Sequence, residues 1–219
     1  MLAVSDFFPM WDELPDGIRA KLLRASRDRS AEKGARIEPS GENCVGLILI
    51  RSGQLRVHTS SADGREITLY RLLDRDICLF SASCMLHSIN FELGIGVEKD
   101  TEYYLIPPNV FAEAMRESAA VSNYINSIMA SRFSEVMWLI DKVLWKRMDQ
   151  RVAAFLIDEA ALDGSACLHL THDEIANHLG TAREVVSRML KYFESDGIVK
   201  LARGSVEIID FEKLNAFAE

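Results

Sequence analysis

The sequence predicts an α+β fold in three parts: a small antiparallel β-roll, one long helix and a C-terminal winged helix-turn-helix. Short β segments separated by turn signals fill residues 35–106, a helical stretch without Gly or Pro covers about 119–146, and a helix–glycine–helix pattern lies in 171–199. The chain has 219 residues and is 48% hydrophobic, enough for one or two domains with buried cores. We place the parts at 1–116, 117–146 and 147–219.

The first part begins with a short amphipathic helix, in which Leu14, Ile18, Leu22 and Leu23 have helical spacing. Turn signals such as Ser52-Gly53 and Lys99-Asp100 then separate short apolar runs. Seven strands are predicted there: 35–37, 45–51, 54–59, 66–72, 77–80, 89–97 and 101–106. Pro107 and Pro108 end the last strand, and a helix is predicted at 109–115.

The long helix carries two apolar seams. One seam repeats at intervals of four and three residues: Met129, Phe133, Val136, Ile140 and Val143. The second consists of Ile125, Ile128, Met137 and Leu144, with Trp138 and Trp145 expected to pack nearby. We expect one seam to meet a second copy of the chain and the other to meet the roll; the alternative is a helix buried within a single chain. A hinge is expected at 146–149, before a helix at 150–161.

The helix-turn-helix is predicted from capping and burial patterns. Thr171 is the expected N-cap of a helix at 172–179, and Glu174 completes a capping box. Gly180 supplies the turn, because glycine readily adopts positive φ. The second helix is expected to begin near Thr181 and to end at Asp196. The residues expected to be buried are Ile175, Ala176 and Leu179 in the first helix and Val186, Met189, Leu190 and Phe193 in the second.

The other face of the second helix carries polar side chains that suit a DNA major groove: Arg183, Glu184, Ser187, Arg188 and Lys191. Arginine donates to guanine, glutamate accepts from cytosine, and serine pairs with either. Lys191 is placed beside the DNA backbone, and Thr171 is also expected to be a DNA-binding residue. The alternative for Glu184 and Arg188 is an ordinary ion pair on a solvated helix.

A predicted hairpin follows, with strands at 198–201 and 206–209, as in the wing of a winged helix. Lys200 and Arg203 lie in this hairpin. They are either phosphate contacts or ordinary surface charges.

The charge of the chain excludes a general binder of polyanions. The net charge is −8, and residues 146–219 contain 9 Lys and Arg against 13 Asp and Glu. DNA binding therefore has to depend on the local positive ridge. The N-terminus lacks a basic segment, and the most apolar run, 45–50, is too short to span a bilayer, so we expect a cytoplasmic protein without membrane contact. Four cysteines, Cys44, Cys78, Cys84 and Cys167, are expected to be thiols.

The chain resembles the Crp/Fnr family of bacterial transcription regulators over nearly its whole length. The resemblance lies in KGARIEPSGENCVGLILIRSGQLRV, the long helix and TAREVVSRMLKYFESDGIV. It implies a cupin-like roll (a double-stranded β-helix related to cyclic-nucleotide-binding domains) that senses an effector, a dimerisation helix and a palindromic promoter site. It also implies RNA polymerase as a partner. Arg183, Glu184, Ser187 and Arg188 match base-contacting positions of the family, which implies a half-site containing TTG or a TGTGA-like sequence.

The sensor end departs from the best-known members of that family. The stretch DICLFSASCMLHSINFELGIGVEKD has neither a Gly-Glu pair nor an arginine, so it lacks the clamp that holds a cyclic phosphate. An iron–sulfur cluster requires four thiolates, and the first 43 residues contain no cysteine. We therefore expect neither a cyclic nucleotide nor an iron–sulfur cluster, and the cofactor stays open.

A tentative effector pocket is placed at Cys78, Ser81, Ser83, Cys84 and His87. The two thiols and the imidazole either bind haem iron or a soft metal, respond to oxidation, or simply pack in the core. No dedicated metal site is predicted. A cupin-type metalloenzyme is not expected, because His58 and His87 have no His-x-His neighbour, and common catalytic motifs are missing. A regulator acting through a protein partner instead of DNA is the remaining alternative.

Overall fold

The computed structural model describes residues 2–37, 46–79 and 93–218. The chain divides into two compact units. The first comprises Met1–Thr59 and Leu69–Val136, and the second comprises Ser60–Thr68 and Met137–Glu219. The predicted α+β class is confirmed, with an antiparallel sheet in the first unit and a helix-turn-helix in the second.

The first unit is a β-roll with helices packed against it. Its helices are α1 (Asp16–Ala25), α2 (Pro108–Glu117) and the first part of α3 (Ala119–Trp145), and its strands are β1 (Arg27–Ala31), β2 (Arg36–Ile37), β3 (Leu47–Ser60), β4 (Glu66–Leu72), β5 (Ile77–Cys78) and β6 (Leu93–Ile106). The tip of the β3–β4 hairpin, Ser60–Thr68, belongs to the second unit. The sheet order is β1-β6-β3-β4, while β2 pairs with β6 and β5 with β3.

Two of the predicted turns were wrong, because β3 and β6 each continue through them. Ser52 pairs with Glu102 and Gln54 with Lys99, so the two irregular segments face each other in mid-strand. Gly53 has φ +108°, and a Cβ atom there would lie 2.4 Å from the carbonyl oxygen of Asp100. The glycine thus permits a close approach between two strands at a bulge.

Alternate residues of the run LILI at the start of β3 pack into two separate hydrophobic cores. Leu47 and Leu49 pack with the helices of the first unit, whereas Ile48 and Ile50 pack inside the roll with residues such as Val97. Successive side chains of a strand point to opposite faces. Both faces of this strand are therefore buried, which explains the unbroken apolar run.

Helix α3 changes character along its length. Ile125 is buried, and Ile128 and Met129 pack against the helix-lined core. Further on, large apolar side chains are exposed in the single chain, at fractions from 41% to 77%: Phe133, Met137, Trp138, Ile140, Val143, Leu144 and Trp145. The two predicted seams do not separate into a roll-facing and a free seam. Both are covered at the start of the helix, and members of both are exposed at its end.

The second unit is a winged helix-turn-helix with flanking helices. Its elements are α4 (Met148–Asp163), β7 (Cys167–Leu168), α5 (His172–Leu179), α6 (Arg183–Ser195), β8 (Val199–Ala202), β9 (Ser205–Ile208) and α7 (Phe211–Ala218). Helix α3 ends at Trp145, close to the predicted hinge. The small sheet has the order β7-β9-β8. Among the described residues, no helix combines the length and the apolar character needed to cross a membrane.

Candidate nucleic-acid interface

The first helix of the helix-turn-helix begins and ends as predicted. The Thr171 hydroxyl accepts a hydrogen bond from the Glu174 amide at 3.2 Å, and the Glu174 carboxylate accepts from the Thr171 amide at 2.7 Å. At the other end, Gly180 is left-handed, with φ 67° and ψ 35°. Capping and turn geometry together fix where α5 stops and where the chain turns towards α6.

Helix α6 begins two residues later than predicted, at Arg183. Ala182 is its N-cap and provides no side-chain hydrogen bond. The predicted apolar stripe is confirmed for Val186, Leu190 and Phe193, which are fully buried, while Met189 is half-buried. Burial of this stripe directs the opposite face of α6 outward.

The outward face of α6 forms a polar ridge that lines an open concavity with a volume of about 420 Å³. The ridge consists of the five predicted side chains: Arg183, Glu184, Ser187, Arg188 and Lys191. Four of them are exposed, and Ser187 is half-buried. The structure thus brings together two guanidinium groups, an ammonium group, a carboxylate and a hydroxyl on a single face.

Two contacts connect α5 to the ridge. The Arg183 guanidinium lies 3.3 Å from the Asp173 carboxylate, and both side chains are more than 60% exposed. Exposed ion pairs of this kind contribute little free energy, so Arg183 can exchange this partner for another. The Ser187 hydroxyl lies 2.8 Å from Nδ1 of His172, a hydrogen bond that the sequence did not predict.

The wing is a tight hairpin beside α6. Ala202 pairs with Ser205, so the connecting loop is Arg203-Gly204, and Gly204 has φ 74°. Arg203 is exposed at the tip, and Lys200 is exposed on β8. The wing is anchored to α6 because the Leu201 amide donates to the Glu194 carboxylate at 3.0 Å.

The tentative effector residues fall mostly outside the described part of the chain. The residues outside the described ranges are Ser81, Ser83, Cys84 and His87, together with Cys44. Cys78 is fully buried on β5, opposite Ile48. Cys167 is half-buried on β7, and His58 is buried on β3. Within the described ranges, no group of three or more His, Cys, Asp or Glu residues is arranged to hold a metal ion.

Sequence reasoning missed a polar cluster in the first unit, around Arg132 of α3. The guanidinium group donates to Asp76 at 2.9 Å and to Glu135 at 2.8 Å, and lies 5.0 Å from the centroid of the Tyr70 ring. Burial raises the pKa of the Tyr70 hydroxyl above its usual value. The available signal was a lone arginine on an apolar helix face, three residues after Met129.

Comparison with known proteins relates both units to one family. A model described as the Crp-like helix-turn-helix domain matches residues 150–217. The chain is 26% identical over 200 residues to electron transport regulator A of Shewanella oneidensis (88% of this chain, 78% of that one). It is also 26% identical over 186 residues to the cyclic AMP receptor protein of Thermus thermophilus (85% of each).

A solved structure from Eubacterium rectale, assigned to the Crp/Fnr family of transcriptional regulators, is 46% identical. It superposes with a TM-score of 0.94 over 97% of this chain and 99% of that one. FixK2 of Bradyrhizobium japonicum shares the fold at 19% identity, with a TM-score of 0.69 over 89% of this chain and 98% of that one.

Proposed function

The chain belongs to the Crp/Fnr family of DNA-binding transcription regulators, and on that premise we propose that it acts as a homodimer on a palindromic promoter site. In this proposal, residues 147–219 bind DNA, residues 117–146 form the dimer axis and hinge, and residues 1–116 hold the effector. The observation that carries the proposal is the polar ridge of α6, whose base-contacting groups all face outward from a buried stripe.

The proposed base contacts follow from side-chain chemistry. Arg183 and Arg188 each present a fork that donates to guanine O6 and N7, and Glu184 accepts from cytosine N4. Lys191, Arg203 and Thr171 are placed at phosphates, where they fix position and carry no sequence information. We expect a half-site that contains TTG or a TGTGA-like sequence, repeated about one helical turn away.

Dimerisation is supported by the exposed apolar end of α3. Trp145 is 77% exposed, Trp138 69% and Phe133 67% in the single chain. Several large apolar side chains exposed along one helix indicate an interface. A second copy of the chain suits it, because two recognition helices at fixed separation match the symmetry of a palindrome.

The effector is proposed to be a small molecule held by the roll, and its binding to alter how the two α3 helices pack. The chemistry of 76–100 argues against a cyclic phosphate, as no arginine is present there. The complete burial of Cys78 supports a packing role for that thiol. The absorption spectrum and metal content of anaerobically purified protein test the haem and soft-metal alternatives directly.

The decisive experiment compares two pairs of arginine substitutions. A palindromic duplex is first selected from a random library by the full chain, and its affinity is then measured by fluorescence anisotropy. We expect R183A/R188A to lose about 100-fold or more in affinity, since each fork contributes roughly 1–3 kcal/mol.

The matched control is R24A/R116A, which removes two exposed guanidinium groups from α1 and α2 and is expected to retain the affinity of the unmodified chain. Equal affinity of R183A/R188A and the control would overturn the proposed contacts. If the unmodified chain selects no duplex at all, a protein partner becomes the better explanation of the ridge.

A further inference from the structure

The tip of the β3–β4 hairpin, Ser60–Thr68, lies in the same compact unit as the helix-turn-helix. More than a hundred residues of sequence separate it from the turn between α5 and α6. Nevertheless, Ile67 forms an antiparallel backbone bridge with Leu179, the last residue of α5. The helix-turn-helix is therefore contacted by a segment that does not belong to its own sequence motif.

Side chains reinforce this backbone bridge. The Thr68 hydroxyl lies 2.8 Å from Nδ1 of His178, in the last turn of α5. The His178 ring also stacks against Phe155 of α4, with centroids 5.1 Å apart. The end of α5 is thus held between the hairpin tip and the helix that precedes the helix-turn-helix.

The turn itself is shaped around Ile67. A Cβ atom on Gly180 would lie 3.0 Å from both Cβ and Cδ1 of Ile67. Such a contact is tighter than normal packing allows, so the missing side chain of Gly180 provides the space that Ile67 occupies. Gly180 accordingly serves two purposes: it adopts positive φ, and it admits the hairpin tip.

We propose that Ile67 and Thr68 are positioning residues for DNA binding, which hold the α5–α6 turn and thereby fix the direction of α6. This inference rests on the proposed function. The ridge begins at Arg183, three residues after Gly180, and its long side chains are exposed while the tip is docked. The contact therefore leaves the DNA-binding face open.

Holding the turn in advance strengthens DNA binding, because less conformational freedom is lost when the complex forms.

The test uses the full chain and the palindromic duplex selected by the unmodified protein. T68V removes the hydroxyl but keeps the shape of the side chain, and we expect it to weaken DNA binding about three- to tenfold. T68S keeps the hydroxyl and is the matched control, with affinity close to that of the unmodified chain. H178F keeps the ring beside Phe155 but removes Nδ1, so it should weaken binding to the same extent as T68V.

The double variant T68V/H178F separates a specific contact from general damage. If the hydrogen bond positions the turn, the double variant binds no more weakly than either single variant. Hydrogen exchange at the amides of 179–183 should become faster in all three, while the melting temperature of the roll stays unchanged.

Unchanged or tighter DNA binding by T68V would overturn the proposal, and so would fully additive effects in the double variant. Failure of the unmodified chain to bind any duplex would instead count against the proposed function. The two failures are therefore distinguishable.

Discussion

The hydroxyl of Ser187 lies 2.8 Å from Nδ1 of His172, and this hydrogen bond joins α5 to the ridge of α6. Ser187 is half-buried, whereas Arg188 beside it is exposed. The sequence places both residues among the base contacts. The structure gives Ser187 a partner within the protein, so part of its hydrogen-bonding capacity is already used.

This difference predicts unequal effects of two neighbouring substitutions on DNA affinity. R188A removes an exposed guanidinium fork and should weaken binding about 10-fold or more. S187A should weaken it less than about threefold, because its hydroxyl already has a protein partner. Fluorescence anisotropy on the same duplex compares them, and a larger loss for S187A than for R188A would contradict this interpretation.

The capping box of α5 predicts a specific loss of stability. T171A removes the hydroxyl that accepts from the Glu174 amide, and should lower the free energy of unfolding of the second unit by about 1 kcal/mol. E174Q keeps an acceptor at the third position of the box and serves as the control. Urea unfolding followed by circular dichroism gives both values, and equal losses would argue against the cap.

Local rules predicted the helix-turn-helix closely, because its signals lie in a few adjacent residues. The capping box of Thr171 and Glu174 and the left-handed turn at Gly180 depend only on residues that are close together in the sequence. The same rules failed at Gly53, where the required glycine geometry arises from another strand some fifty residues away. Sequence alone does not distinguish a glycine in a turn from one at a bulge.

The unpredicted strand β1 shows a second limit. Its residues, RDRSA, are mostly exposed and have no apolar alternation, yet they pair with β6 from Arg27↔Leu105 to Ala31↔Thr101. This strand is held at the sheet edge by backbone hydrogen bonds rather than by burial of side chains. Hydrophobic periodicity therefore carries no signal for it.

Two glycines of β6 predict opposite outcomes for the same substitution. A Cβ atom on Gly94 would lie 2.3 Å from Nε2 of His58, a buried ring, whereas the nearest atom to a Cβ on Gly96 is 4.0 Å away. G94A should therefore destabilise the first unit by about 1–3 kcal/mol. G96A should leave its stability unchanged or raise it slightly. Urea unfolding decides, and similar values for the two would disprove the packing argument.

We expect the two carboxylates that bind Arg132 to contribute unequally to the stability of the first unit. Asp76 accepts from Arg132 at 2.9 Å and also from the Leu73 amide at 2.8 Å, so it holds both α3 and the turn between β4 and β5. D76N should cost about 1–2 kcal/mol of stability, after allowance for its partial exposure. E135Q, which weakens one pair within α3, should cost less, and the reverse order in thermal unfolding would refute this assignment.

The exposed end of α3 predicts how the chain assembles. Leu144 is 66% exposed among other apolar side chains of the helix, whereas Leu23 of α1 is 51% exposed outside this patch. A charge placed in a desolvated interface is strongly unfavourable, so L144E should convert a dimer into a monomer in sedimentation velocity. L23E carries the same change on an ordinary surface and should remain dimeric.

The monomeric variant should also bind the palindromic duplex far more weakly than the dimer does, because it loses the second, tethered recognition helix. We expect this loss to exceed the loss that the dimer suffers when one half-site of the duplex is altered. A dimeric L144E, or an unmodified chain that sediments as a monomer, would show that the apolar end of α3 has another partner.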